Sequence, residues 1–223
     1  MEYPTVTSLF VDRVSRYANT EQRNVFYFRS NDRWQGISWR RFEEETYDFA
    51  TALLSFNLEP RGSVCILMGN VPEWPISDIG TIMAGGVGVG LYPTSSAEQI
   101  AYIINHSDAE FVLVDTREQL QKVLSVRDQL PKVRHIIALD TDSANDVIAY
   151  GDFIARGREE RQQCARHTER AATRLKPGQY PRQSIESAGI HAAPLHHSAI
   201  RLANAWTAGH IAAGTTGEPV ITG

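Results

Sequence analysis

The sequence contains little of what marks a secreted, membrane-spanning or nucleic-acid-binding protein. Its 223 residues include only two cysteines, Cys65 and Cys164, which is too few for a disulfide framework. The N-terminus lacks a basic segment followed by an apolar run, and no stretch approaches the ~20 apolar residues that a membrane-spanning helix needs. A net charge of −4 argues against nucleic-acid binding through bulk charge. We therefore predict a soluble, cytoplasmic protein with reduced cysteines, in which Cys65 is a core residue.

Apolar residues are concentrated between residues 63 and 139, where two patterns alternate. Buried strands are predicted from four short apolar runs, at residues 64–68, 87–91, 111–114 and 133–139. The segments between these runs repeat apolar residues at helical spacing, as at Ile76, Ile79 and Met83. Strands and helices in alternation predict an α/β fold, with a mostly parallel sheet and flanking helices.

The predicted helices begin at residues suited to capping. Ser95 and Glu98 match a capping box, as do Asp115 and Glu118, because each side chain can bond the other residue's free backbone N–H. Before the sheet, the pattern predicts a first helix around residues 6–17, a hairpin with strands at 25–28 and 34–38, and a long helix capped by Ser38.

Several residues that could bind a cofactor, bind a metal or act in catalysis have a simpler structural explanation. The glycines at residues 85–90 lack the G-x-G-x-x-G spacing and precede a strand, so close helix–strand packing is favoured over dinucleotide binding. His106 follows an amphipathic helix, where a capping or packing role is favoured over catalysis. A metal cluster of His191, His196 and His197 is disfavoured because no carboxylate or cysteine lies beside them.

The sharpest local signal is the segment GTTGEP at residues 214–219. Its glycines free the backbone so that successive N–H groups can point at one anion, and its threonine hydroxyls add donors. No lysine follows as it does in the Walker pattern. On spacing alone, a phosphate-binding loop and a plain polar turn both stay open.

Five motifs carry a resemblance to a known family. They are ISW at residues 37–39, GNVPEW at 69–74, GLYPTSS at 90–96, INHSDA at 104–109 and GTTGEP at 214–219. Together they resemble the adenylate-forming, AMP-binding enzymes, and most closely the long-chain fatty-acid–CoA ligases of the bubblegum type and their bacterial relatives. The resemblance covers residues 1 to about 140 and the short segment at residues 214–219. It implies the N-terminal part of the adenylate-forming enzyme fold, in incomplete form.

The resemblance implies an ATP-dependent ligase. In this family a fatty carboxylate attacks the α-phosphate of ATP to form an acyl-adenylate, and the CoA thiol then displaces AMP. ATP, Mg²⁺ and CoA are the implied cofactors, and a fatty acid is the implied substrate. The implied cofactor-binding residues are those of the phosphate loop, Gly214, Thr215, Thr216 and Gly217.

The chain also departs from the family pattern. Residues 211–213 read IAA where the family has Y-T-S, and Val220 stands where the family has lysine. The family's later motifs do not follow, so we name no catalytic residue and expect this chain to be inactive by itself. The alternative is a non-catalytic binding or interaction fragment. Peripheral membrane contact and self-association through an uncovered sheet also stay open, whereas nucleic acid is not an expected partner.

The composition changes after residue 150. Asp152 is the last aspartate, and the segment at 170–213 is rich in alanine and histidine without a clean apolar period. We therefore predict that residues 1–176 form the AMP-binding-enzyme region, that 177–213 are divergent and poorly ordered, and that 214–223 are a remnant of the phosphate loop. A shift of reading frame in the coding DNA would produce such a change.

Overall fold

The structure is a computed structural model that describes residues 5–20, 23–141 and 146–174. The chain divides into two compact units, Met1–Arg158 and Glu159–Gly223, and the sheet lies in the first. Of the second unit, the described residues 159–174 are helical. None of the helices in these ranges is long and apolar enough to cross a membrane.

The elements of the described residues follow each other in a largely alternating order. The helices are α1 (Val6–Tyr17), α2 (Trp39–Ser55), α3 (Glu73–Met83), α4 (Ala97–His106), α5 (Arg117–Ser125) and α6 (Tyr150–Arg174). The strands are β1 (Asn24–Ser30), β2 (Arg33–Ser38), β3 (Ser63–Leu67), β4 (Val87–Gly90), β5 (Ala109–Val114), β6 (His135–Ala138) and β7 (Val147–Ala149). A short 3-10 turn at Arg127–Gln129 follows α5.

The main sheet has five strands in the order β4-β3-β5-β6-β7, and its neighbouring strands are parallel. The chain leaves β3 for β4 on one side and then returns to β5 on the other side. This reversal of direction is a topological switch point, and ligands of open α/β sheets bind beside such points at the carboxyl ends of the strands. The fold class predicted from the alternating pattern is therefore confirmed.

Helices cover both faces of this sheet, and its central strands are buried accordingly. On one face, Cys65, Val112 and Ile136 belong to an apolar cluster that includes residues of α4 and α5. On the other face, aromatic rings connect the sheet to the helices in a chain of contacts between Phe111, His135, Phe56, Phe153 and Phe49. The unbroken apolar run at residues 64–68 is explained by this double cover, since a strand buried on both faces has no polar side.

A separate two-stranded layer precedes the sheet. β1 and β2 pair antiparallel through a two-residue turn in which Asn31 and Asp32 have φ angles of 51° and 58°. Positive φ at both central residues is the requirement of a type I′ hairpin turn, which asparagine and aspartate tolerate. α1 and the hairpin both pack on α2 at Phe42, whose ring centroid lies 5.3 Å from that of Phe10 and 4.9 Å from that of Phe26.

Two of the predicted capping residues are wrong by one position. The capping box of α4 is formed by Ser96 and Gln99, not by Ser95 and Glu98. α5 is capped by Thr116, whose side chain accepts from the Gln119 N–H, because the carboxylate of Asp115 is engaged elsewhere. The cap of α2 at Ser38 is confirmed. β7 and the long α6 were not predicted from the sequence.

Candidate functional site

A cleft of about 820 Å³ opens at the carboxyl ends of β3 and β4. Its floor is formed by the segments at the ends of these two strands, residues 68–72 and 90–93. Trp74 and Pro75 of α3 contribute one wall, and Phe26, Tyr27 and Phe28 of the hairpin contribute another. The cleft thus lies beside the switch point, where the fold class places ligand sites.

Asp115 ties the two strand ends at the switch point together. It follows β5, and its Oδ2 accepts a hydrogen bond of 2.7 Å from the backbone N–H of Gly69, which follows β3. The other carboxylate oxygen, Oδ1, is enclosed and has no hydrogen-bond partner among the described residues. The bond holds the first residues of the cleft floor against the centre of the sheet.

The loop after β4 is anchored to α5. The carbonyl oxygen of Pro93 accepts hydrogen bonds of 3.0 Å from both Gln119 Nε2 and Lys122 Nζ. Ser95 closes a turn by donating its N–H to the Tyr92 carbonyl. Because a charged donor strengthens a hydrogen bond, Lys122 contributes most to holding this edge of the cleft.

The lining of the cleft is apolar and aromatic. Asn70, Tyr27 and Tyr92 are the lining residues whose side chains carry an amide or hydroxyl group, and Tyr27 projects from the face of the hairpin opposite to Phe26 and Phe28. Glu73 lies in the chain between the lining residues Pro72 and Trp74, and burial raises the pKa of its carboxyl. Such a surface suits a ligand with an apolar chain or a flat ring, with few directional contacts.

The cleft does not fit the triphosphate and metal that the resemblance implies. Its lining includes no acidic or basic side chain, whereas Mg²⁺ prefers carboxylate oxygens and phosphates prefer arginine, lysine or clustered backbone N–H groups. Within the described ranges, no group of three or more histidine, cysteine, aspartate or glutamate residues is placed to hold a metal ion. The residues that line the cleft therefore supply no charged ligand for the phosphates of ATP or for Mg²⁺.

Most of the predicted site residues lie outside the described ranges. These are Gly214, Thr215, Thr216 and Gly217 of the loop, together with His191, His196 and His197. His106 is described, and it stacks on Tyr102 with ring centroids 5.7 Å apart, which agrees with the predicted packing role. A Cβ at Gly86 would lie 2.9 Å from the Gly62 carbonyl oxygen, so close backbone approach explains that glycine as predicted.

Cys65 is a core residue, as predicted. Burial raises the pKa of its thiol to about 11, although a contact of 3.6 Å with the Ser107 hydroxyl lowers it slightly. A thiol that stays protonated at neutral pH is a poor nucleophile. These properties fit a packing role for Cys65 in the core.

The sequence reasoning did not identify the cleft. Phe26 and Phe28 line the cleft from a hairpin that lies about 40 residues before the floor in the sequence. Only the tertiary fold brings the hairpin next to the floor. A usable signal was nevertheless available, because the motif at residues 69–74 follows one predicted strand and the motif at 90–96 begins at the end of the next. The carboxyl ends of neighbouring parallel strands meet at the same edge of a sheet.

Comparison with known proteins places the chain in one family. The family model for AMP-binding enzymes matches residues 14–179. The long-chain-fatty-acid–CoA ligase ACSBG2 of Xenopus laevis is 35% identical over 133 residues, which cover 60% of this chain and 18% of the relative. The human ligase ACSBG1 is 32% identical over 158 residues, covering 70% of this chain and 21% of the relative. The chain thus spans about a fifth of the length of these relatives.

A solved structure agrees on the fold. The anthranilate CoA ligase AuaEII, crystallised in complex with anthranoyl-AMP, aligns with a TM-score of 0.56 and 23% identity, over 66% of this chain and 28% of that one. At this identity the likeness concerns the fold alone. Since the family model covers most of the sequence, including the whole parallel sheet, the chain belongs to the family of AMP-binding enzymes.

Proposed function

We propose that these residues are part of an ATP-dependent ligase that activates long-chain fatty acids to acyl-CoA through an acyl-adenylate. The observation that carries the proposal is the identity of 32–35% to long-chain-fatty-acid–CoA ligases. The apolar lining of the cleft supports it, since a fatty acid offers mainly methylene groups. ATP, Mg²⁺ and CoA are the proposed cofactors, and the cytoplasm is the proposed location.

We propose further that the 223-residue chain does not complete this reaction by itself. Two observations support this: the chain spans about a fifth of its relatives, and the cleft lining offers no charged side chain to the reacting phosphates. Loss of one preorganised electrostatic donor alone typically costs about 10²–10³ in rate. The test is an assay of the purified chain with palmitate, ATP, Mg²⁺ and CoA, with a full-length relative as the positive control. Palmitoyl-CoA above the level of heat-treated protein would contradict the inactivity.

The phosphate-binding role of Gly214, Thr215, Thr216 and Gly217 is likewise a proposal, as are the boundaries at residues 176 and 213. A loop that lacks the family's lysine offers only a few phosphate contacts. We expect ATP to bind with a dissociation constant near ~1 mM, which corresponds to about 4 kcal/mol. Calorimetry on the chain and on a Thr215→Ala/Thr216→Ala variant checks this. Micromolar binding, or binding that the variant leaves unchanged, would contradict it.

A second candidate function is that of a non-catalytic interaction module. The observation that favours it is the exposure of two large aromatic side chains on the hairpin, Tyr27 at 61% and Trp34 at 71%. Exposed aromatic residues of this size are often contact points for partners. The two candidates are compatible, since a ligase can also dock on a surface.

A further inference from the structure

Strand β4 alternates valine with glycine, and its two glycines, Gly88 and Gly90, lie on the face that α3 covers. Val89 packs on the opposite face, against the apolar cluster that includes residues of α4 and α5. Because side chains alternate along a strand, β4 presents only backbone towards α3. Asp78 of α3 lies over Gly88, and Trp74, one helical turn earlier, lies over Gly90.

Packing explains Gly88 but not Gly90. A Cβ at Gly88 would lie 2.3 Å from Oδ1 of Asp78, so a larger residue there would displace that carboxylate. A Cβ at Gly90 would lie 3.5 Å from Cζ2 of Trp74, which is an ordinary van der Waals distance, and it would meet no other described residue within 4 Å apart from its chain neighbours. The fold therefore has room for a methyl group at position 90.

Backbone geometry gives no other reason for a glycine at this position. The φ angle of Gly90 is outside the left-handed region, and β3 and β4 pair in continuous register up to Ile66 and Gly90, without a bulge. Glycine weakens a strand relative to alanine, and where no bulge or bend requires it, it marks a place that a ligand or another backbone approaches closely. Gly90 is exposed and lines the cleft, so the approach is from the cleft.

We propose that Gly90 determines what the cleft can hold, because its missing side chain lets the alkyl chain of a fatty acid lie against the end of β4, beside the Trp74 ring. The inference rests on the proposed function for the identity of the ligand. Trp74 is a fixed wall for such a chain, since Pro72 and Pro75 restrict the backbone on either side of it. Its N–H also donates a hydrogen bond of 3.1 Å to the carbonyl oxygen of Val71.

Two other ligand classes are separated from the alkyl chain in different ways. A phosphate-bearing ligand would meet no charged side chain in the lining, so the cleft offers it little. A flat aromatic acid could stack on Trp74, and the apolar lining alone does not reject it. The proposed function favours the alkyl chain, and the experiments compare it with an aromatic acid.

Contact between the alkyl chain and Trp74 can be measured by fluorescence. Bromine atoms quench tryptophan emission at contact, so dibromostearate should quench the emission of the purified chain in a saturable way. Trp74→Phe should remove most of this quenching. The control is Trp34→Phe, which changes an exposed tryptophan outside the cleft lining and should leave the quenching by the bound ligand in place. Saturable quenching that survives Trp74→Phe would overturn the placement of the chain beside Trp74.

A graded series at position 90 tests the role of the missing side chain. Gly90→Ala and Gly90→Val add about one and about three carbon atoms to the floor, and each should displace about one methylene group of the ligand. Palmitate affinity should then fall about 4-fold for alanine and up to about 60-fold for valine. Stability should not fall, because both residues favour a strand more than glycine does. The control Gly151→Ala adds a methyl group on α6, where a Cβ meets nothing within 4 Å, and should leave palmitate binding unchanged.

Palmitate affinity that is the same in the parent and in the Gly90 variants would overturn the inference. Gly90→Ala decides the question alone if Gly90→Val does not fold, since its methyl group stays at contact distance from Trp74. Ligand shape is tested with two acids of equal carbon number, undecanoate and naphthoate, and undecanoate should displace dibromostearate at the lower concentration. Stronger displacement by naphthoate would overturn the alkyl assignment. Failure of the proposed ligase reaction would appear instead as a folded chimera with a full-length relative that forms no palmitoyl-CoA, whatever the Gly90 variants do to binding.

Discussion

The carboxylate of Asp115 accepts a hydrogen bond of 2.7 Å from the backbone N–H of Gly69, and this bond joins the ends of β5 and β3 at the switch point of the sheet. The two residues are 46 positions apart in the chain, so the bond forms only in the folded state. It connects the centre of the sheet to the floor of the cleft.

Removal of this bond should destabilise the fold. Asp115→Ala leaves the Gly69 N–H without its acceptor, and we expect a loss of about 1–3 kcal/mol in the free energy of unfolding. Asp115→Asn should lose less, because the amide oxygen can still accept. The measurement is urea denaturation followed by circular dichroism. Asp140→Ala is the control, since Asp140 also follows a strand but forms an exposed ion pair with Arg117, worth about 0–1 kcal/mol. Equal losses at both positions would refute the role given to Asp115.

Gly157 of α6 sets how closely that helix approaches α2. A Cβ at this position would lie 1.9 Å from the Asp48 carbonyl oxygen. Because that oxygen belongs to the backbone, no side-chain rotation can relieve the clash. Gly157→Ala should therefore cost about 1–3 kcal/mol or more.

Gly151 on the same helix provides the matched control, because a Cβ there would meet nothing within 4 Å. Gly151→Ala should be neutral or stabilising by up to about 1 kcal/mol, since alanine has the higher helix propensity. Thermal unfolding of the two variants measures the contrast. Similar melting temperatures for both would contradict the packing described for α6.

Cys65 should make the fold sensitive to alkaline pH. Burial raises the pKa of its thiol to about 11, above the ordinary value near 8.5. The unfolded state then loses the thiol proton at lower pH than the folded state, so the stabilisation is fully present below about pH 8.5 and is lost as the pH rises towards 11. Relative to Cys65→Ala, the free energy of unfolding should fall by about 3 kcal/mol over this range. A difference between the two proteins that does not vary with pH would show that the thiol is not shielded.

Lys122 should control the mobility of the loop at residues 92–96. Lys122→Met removes the charged donor to the Pro93 carbonyl and leaves Gln119 as the remaining donor. Loss of about 1 kcal/mol from this anchor should accelerate amide hydrogen exchange in the loop about fivefold. Lys132→Met, which removes an exposed lysine paired with Asp108, is the control and should leave the exchange of the loop unchanged.

Much of the sheet could be predicted from the sequence because its signals are local. The run at residues 64–68 is apolar throughout, and Ile76, Ile79 and Met83 share one side of a helix. The caps of α4 and α5 were misplaced because two capping residues stand side by side in each case, Ser95 with Ser96 and Asp115 with Thr116. Asp115 accepts a hydrogen bond from Gly69, 46 positions away, and Ser95 lies in the turn that begins at Tyr92, so in each case the second neighbour is left to cap the helix.

The missed elements depend on contacts between distant residues. β7 has only three residues, which is too short for a periodic signal. α6 is polar along most of its length, and it is fixed in the first unit by Phe153 and Gly157 packing on α2. The cleft was missed for the same reason, because its hairpin wall is brought to the sheet by tertiary packing. The motifs at residues 69–74 and 90–96, which also carry the family resemblance, lie at the carboxyl ends of β3 and β4.

The most direct test of the account is a chimera of a full-length relative. The matched segment of 133 residues in Xenopus laevis ACSBG2 is replaced by the corresponding segment of this chain, and palmitoyl-CoA formation is measured with palmitate, ATP and CoA. If these residues form part of a long-chain acyl-CoA ligase, the folded chimera should form palmitoyl-CoA at a rate within about 100-fold of the parent, and Asp115→Ala should lower it further. A chimera that melts cooperatively, as the parent does, but forms no palmitoyl-CoA would contradict the proposal.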